Sequence, residues 1–291
     1  PVMTSEAIDD LAGRQLIFKC ENLQKVGAFK FRGAWNAVAS LSDGEAERGV
    51  CTHSSGNHAQ ALALAAQMRG IAAHIVMPDN AAPIKLNAVE GYGAAITLCE
   101  PTLKAREATL AELQNESGAV LVHSYDDARI IAGQGTAALE LLAQAELDAI
   151  ITPIGGGGLL SGTCIATQGT APEVALYGAE PAGADDAAQS LASGELVPQL
   201  APDTICDGLL SSLGKLTWPI LRDNLAAIIT VDDDAVRQAM RLLWEQLELL
   251  VEPSGAIGLA AALSPDFQSD AQRVGIILTG GNVDPAKFFQ Q

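Results

Sequence analysis

A lysine between two phenylalanines, a run of four glycines and a Ser-Ser-Gly-Asn-His turn are the residues here whose types and spacing could do chemistry. Lys30 lies in Ala28-Phe29-Lys30-Phe31-Arg32-Gly33, after a β-rich run and at the entry to a helical pattern. Aromatic neighbours that desolvate an ammonium favour the neutral amine, which is the form that condenses with an aldehyde. The same pattern also suits a lysine whose stem packs on apolar surface while its head stays in water. Gly155-Gly156-Gly157-Gly158-Leu159 follows an apolar run ending near Thr152 and precedes another helical pattern. Consecutive glycines let backbone N–H groups converge on an anion, and a helix N-terminus adds a favourable dipole. That favours a small phosphate group over a tight turn packed under a helix. No Gly-Lys-Ser/Thr follows, and no acidic residue stands at the distance a dinucleotide fingerprint needs, so neither nucleotide motif is present.

Ser54-Ser55-Gly56-Asn57-His58 also sits where an apolar run hands over to a helix, offering hydroxyls, an amide and N–H groups to a carboxylate or a ring hydroxyl. A Ser/His/Asp hydrolase with Ser55 as nucleophile is a competing reading, though the Gly-x-Ser-x-Gly elbow is missing. Simple N-capping by serine is another. Glu180-Pro181-Ala182-Gly183-Ala184-Asp185-Asp186 brings three carboxylates to the end of a run, and Glu180 and Asp186 could converge on a hard cation around a turn. An acidic surface loop would look the same. Thr279-Gly280-Gly281-Asn282 closes the last apolar run with a hydroxyl and a glycine pair.

The elements that must position these groups alternate. Runs at Leu16–Cys20, Val50–Thr52, Ala73–Met77, Ala95–Leu98, Ala149–Thr152, Val174–Gly178 and Val274–Leu278 read as strands. Between them, Gln60–Met68, Lys104–Glu116 and Ala128–Ala143 read as helices, with Leu103, Leu110 and Leu113 on one face and Glu107, Ala111 and Gln114 on the other. Such alternation predicts open parallel sheets covered by helices, and the strand count predicts two of them. Ligands of such sheets bind beyond the strands' carboxyl ends, where all of these motifs fall.

Composition narrows the partners. With 17 Lys+Arg against 35 Asp+Glu, the formal charge of −18 disfavours nucleic acid and anionic membrane. Five cysteines form no Cys-x-x-Cys pair, which speaks against a disulfide framework or structural zinc and for a reducing cytoplasm. The uncharged stretch from Ala149 to Pro172 contains Pro153 and the glycine run, so it makes a poor bilayer helix. No signal-peptide pattern opens the sequence.

Taken together and in order, these motifs resemble the fold-type II pyridoxal-phosphate (PLP) enzymes, in the serine racemase and serine/threonine dehydratase branch. The resemblance implies an α/β fold of the tryptophan synthase β type, with two open parallel-rich sheets, flanking helices and a smaller inserted domain. Residues 1–42 and 127–291 would form the large PLP-binding domain and residues 43–126 the small one, with PLP between them. By that likeness Lys30 carries PLP as a Schiff base, Phe29 lies against the ring, and Asn57 bonds the ring hydroxyl. Gly155 to Gly158 with Leu159 hold the phosphate, and Thr279 faces the pyridine nitrogen where many relatives have serine. Ser54, Ser55, Asn57 and His58 line the substrate, with Arg106 as a further neighbour. Glu180, the Ala184 carbonyl and Asp186 match a Mg²⁺ or Ca²⁺ site of racemase-like members. A small-molecule amino-acid substrate and a homodimer are implied.

The activity implied is dehydration of L-serine or L-threonine to a 2-keto acid and ammonia. Lys30 would act as base on one face of Cα. Ser55, where plain threonine dehydratases often carry alanine, would serve the opposite face and open the way to racemisation. Serine racemase and 3-hydroxyaspartate dehydratase are the alternatives, the latter with Arg106 meeting a second carboxylate. A β-replacement synthase fits the Ser-Ser-Gly-Asn-His turn less well, and the intact Lys30 argues against a non-catalytic amino-acid-binding protein. Pro1–Ser5 resembles a stretch that relatives reach after an additional N-terminal segment. With little sequence beyond Asn282, feedback inhibition by isoleucine is not expected.

Overall fold

A computed structural model describes residues 1–284. Its strands are β1 (Val2–Met3), β2 (Gln15–Cys20), β3 (Val50–His53), β4 (Ala73–Pro78), β5 (Ala95–Cys99), β6 (Val120–Leu121), β7 (Ala149–Pro153), β8 (Ala175–Pro181), β9 (Ala227–Val231) and β10 (Arg273–Leu278). The helices are α1 (Glu6–Ala12), α2 (Lys30–Ala39), α3 (Asp43–Arg48), α4 (Asn57–Arg69), α5 (Pro83–Gly91), α6 (Leu103–Ser117), α7 (Ala128–Gln144), α8 (Gly158–Thr170), α9 (Asp186–Ser193), α10 (Thr217–Asn224), α11 (Asp233–Leu247) and α12 (Pro253–Leu263). The chain divides into two units: Pro1–Phe29 with the chain from Gln134 onward, and Lys30–Gly133. The small unit thus begins before Asp43 and ends after Asp126. The reason is local, because α2 packs along α4 and the first turns of α7 return to α2.

In the larger unit a six-stranded sheet runs β1-β2-β10-β7-β8-β9, parallel throughout except for β1 on β2. Both faces are apolar, as a parallel sheet covered by helices requires. Leu16, Phe18, Ala149, Ile151, Val274 and Ile276 point to one core with α11 and α12. The alternate residues Ile17, Ile150 and Ile277 point to the other, against α8 and the end of α7. This period of two along each strand is what the pleat dictates. Burying each such Ile or Leu stabilises by roughly 1.5–3 kcal/mol. Between them Gly275 leaves room for Leu141 and Leu147, which a Cβ would meet at 2.9 Å.

In the smaller unit four parallel strands run β5-β4-β3-β6. The alanine-rich face of α4 packs on β4, ends at Gly70 in the left-handed region (φ +73°), and needs small side chains to approach that closely. Thr102 starts α6 by accepting the Ala105 N–H at 3.1 Å. Leu110 of that helix is buried beside Cys51 and Val76, whereas Leu103 is 56% exposed and does not extend the apolar stripe as expected.

Candidate active site

In the smaller unit, the carboxyl end of β3 delivers Ser54, Ser55 and Gly56 to the first residue of α4, Asn57. The Ser54 N–H continues the ladder to the Val76 carbonyl (3.1 Å), and its Oγ accepts the Gly56 N–H (3.3 Å), which shapes the turn. Gly56 leaves α4 without a side-chain cap and faces open space. Uncapped N–H groups with the helix dipole behind them suit a carboxylate. His58 is only 2% exposed, and its Nε2 donates to the Val122 carbonyl at 3.0 Å. Burial, with the Lys30 charge added, pushes its pKa down to about 3, so the ring is neutral and ties α4 to the chain after β6. Burial and the Arg106 charge push His53 down to about 4. The Nδ1 of His53 and Nε of Arg106 are both buried without a hydrogen-bond partner.

Lys30 opens α2, and its Nζ donates to the Ser124 carbonyl at 2.8 Å. Phe31 is the next residue of that helix. It turns into the buried face of α2 and stacks on Trp35, with ring centroids 6.4 Å apart. The segment Val122–Asp126 went unread in the sequence, yet it holds both Lys30 and His58. His123 Nδ1 there accepts the N–H groups of Asp126 (2.9 Å) and Tyr125 (3.3 Å), and its ring meets Tyr125 edge-on. A two-residue strand, β6, gives no periodicity to find it by; its place at a strand's carboxyl end was the available signal.

In the larger unit, β7 ends in the glycine run, and Gly157 (φ +88°) precedes α8 with no side-chain cap. Two of these positions crowd a side chain, and Gly157 does so most. A Cβ on Gly155 would meet the Leu209 Cα at 3.1 Å, and one on Gly157 would meet Thr217 and Leu221 at 2.9 Å. Buried Thr217, unread in the sequence, braces the loop by donating to the Gly156 carbonyl at 2.8 Å. Thr279 ends β10 buried, its Oγ1 donating to the Ser254 carbonyl at 3.3 Å, while its own carbonyl accepts the Phe29 N–H at 2.9 Å. Phe29 packs half-buried on the core beside α8.

At the end of β8, both Glu180 oxygens accept N–H groups of α9, from Ala187 (3.0 Å) and Ala188 (2.8 Å). Burial pushes Glu180 up to about 8 and Asp186 up to about 6. Asp186 Oδ1 accepts from Gln199 at 3.1 Å, and its Oδ2 is buried without a partner. Among the described residues, no three His, Cys, Asp or Glu side chains gather into a metal-binding group. Any cation here would complete its shell with main-chain carbonyls or water.

These features are those of an α/β protein with two helix starts that lack a side-chain cap and a lysine held at the head of α2. Residues 1–280 match the family model described as pyridoxal-phosphate dependent enzyme. The chain is 50% identical over 289 residues to a serine racemase of Dictyostelium discoideum, covering 98% of this chain and 89% of that protein. It is 48% identical over 289 residues to a β-hydroxyaspartate dehydratase of Paracoccus denitrificans, covering 99% and 92%. The structure of maize serine racemase superposes with a TM-score of 0.98 at 50% identity, covering all of this chain and 90% of that one. The chain belongs to the pyridoxal-phosphate-dependent enzymes of fold-type II, in the serine racemase and serine/threonine dehydratase branch. Among the described residues, no helix is long and apolar enough to cross a membrane.

Proposed function

We propose that the chain dehydrates L-serine or L-threonine to a 2-keto acid and ammonia, with pyridoxal phosphate as cofactor. The observation that carries this reading is Lys30, whose amine is held at the Ser124 carbonyl at the head of α2, in a chain half identical to a serine racemase. The residues fit the cofactor: α8 starts uncapped for a phosphate, and Thr279 offers a hydroxyl rather than a carboxylate to the ring nitrogen. By the family resemblance, Gly155–Gly158 and Leu159 would hold the phosphate, Asn57 would bond the ring hydroxyl, and Phe29 would lie against the ring. When bound, PLP supplies an electron sink for charge developing at the substrate Cα. Lys30 anchors it at rest and removes the Cα proton from one face. Ser54, Ser55 and the start of α4 receive the substrate carboxylate, with His58 fixing that helix from behind. Ser55 handles the proton on the opposite face, which adds racemisation.

Glu180, Asp186 and the Ala184 carbonyl bind Mg²⁺ or Ca²⁺, a reading supported by the partnerless Asp186 Oδ2. By family resemblance the working form is a cytoplasmic homodimer. A second substrate reading, 3-hydroxyaspartate, is favoured by the partnerless Nε of Arg106, which suits a second carboxylate. The test is a PLP absorbance band that disappears in Lys30→Ala, followed by incubation with L-serine, L-threonine, D-serine and the threo-3-hydroxyaspartates. Keto acid and enantiomer are then assayed separately. A native protein that stays colourless after reconstitution with PLP sinks the reading.

A further inference from the structure

Four residues before Lys30 the backbone does something costly. Val26 adopts φ +56°, and among the described residues only it and Glu248 are non-glycine residues with positive φ. A β-branched side chain is crowded there, and such strain persists only where the surroundings over-determine it. Gly27 follows at φ +65°. The Gly27 N–H closes the turn on the Gln24 carbonyl at 2.8 Å, and the rest of the hold comes from one tetrapeptide, Thr279–Asn282. Thr279 accepts the Phe29 N–H at 2.9 Å, Ala28 pairs antiparallel with Gly280, and the Gly281 N–H donates to the Gly27 carbonyl at 2.9 Å. These backbone links fix residues 27–29. The carbonyl of the strained residue itself is reached by a side chain, Asn282 Nδ2, at 2.7 Å. Asn282 Oδ1 lies so close over the turn that a Cβ on Gly27 would meet it at 2.6 Å. Asn282 is anchored in turn, its N–H donating to Glu252 Oε2 at 3.1 Å beside the start of α12.

We infer that Asn282 is a positioning residue for Lys30: it clamps the strained Val26–Gly27 turn and so sets where the chain presents Phe29 and the lysine that follows it. This rests on the PLP reading above. In the apo-protein, Asn282→Ala removes the clamp, and Asn282→Asp keeps its size while losing the amide donor. Both are expected to slow Schiff-base formation with added PLP about tenfold, the scale of one lost hydrogen bond. Affinity for inorganic phosphate, which probes the α8 loop alone, stays unchanged. Adding Val26→Gly to Asn282→Ala restores the rate, because glycine takes the left-handed turn unaided. Unchanged Schiff-base formation in both variants, or a loss that tracks phosphate affinity, overturns the inference. If the unsubstituted protein forms no Schiff base, the cofactor reading falls and this inference with it.

Discussion

Ser55 and His58 lie three residues apart at one strand end, and burial separates their roles. Ser55 is half-buried, whereas His58 is enclosed and committed to the Val122 carbonyl. Ser55→Ala is therefore expected to abolish conversion of L-serine to D-serine while keto-acid formation from L-serine falls less than tenfold. Chiral chromatography beside a keto-acid assay measures both, and equal loss of the two removes Ser55 from its own face. His58 matters for stability instead. With folded pKa values of about 3 and 4, His58 and His53 bind fewer protons folded than unfolded, where each titrates near 6.5. Stability is then full above pH 6.5 and is lost as pH falls toward 4, by about 2 kcal/mol for each histidine at pH 5. Thermal melts between pH 7 and pH 5 should show that loss, and His58→Asn should flatten about half of it. Lys30 was singled out from its company in the sequence, but the stacking of Phe31 on Trp35 was not foreseen. Adjacency in sequence says nothing of direction once a helix turns successive side chains apart.

At the scale of elements, what was legible followed from burial. Six of the seven strands read from the sequence are apolar runs with mostly buried positions; the seventh, β5, is an edge strand that was read from its Ala-Ile-Thr-Leu run although its positions are half-buried or exposed. β9 carries a similar Ala-Ile-Ile-Thr-Val run, but it is an edge strand with half-buried positions and went unread. β1 and β6 have two residues each, too few for any period. The compact small unit extends past the expected 43–126 at both ends, and at its start this is because α2 belongs with α4 through packing that no composition shift marks. The glycine run was legible, yet which glycine is indispensable was not, since that depends on Thr217 and Leu221 closing over it. Gly157→Ala puts a Cβ at 2.9 Å from both and forces an alanine to φ +88°. It is expected to destabilise the protein by about 1–3 kcal/mol and to weaken PLP binding at least tenfold. Calorimetry and a PLP titration check this. A normal melting temperature with normal affinity would mean that α8 can start without the left-handed residue.

For the whole molecule the governing quantity is charge. Seventeen basic against thirty-five acidic side chains give −18, so the folded chain repels itself more than its expanded form does. Among the acids, Glu180 and Asp186 carry a local penalty as well, being drawn out of water at one turn. The two effects separate by ion type. Sodium chloride acts through screening, which at 0.15 M shortens the range of surface repulsion to about 8 Å, and should raise the melting temperature smoothly toward a plateau. Magnesium or calcium chloride at matched ionic strength adds whatever a specific site contributes, and that part saturates with cation concentration. The expected result is a further saturable rise in the unsubstituted protein that Asp186→Asn removes, while the response to sodium chloride survives in the variant. A divalent effect no larger than that of sodium at equal ionic strength would leave Glu180 as the cap of α9 and nothing more.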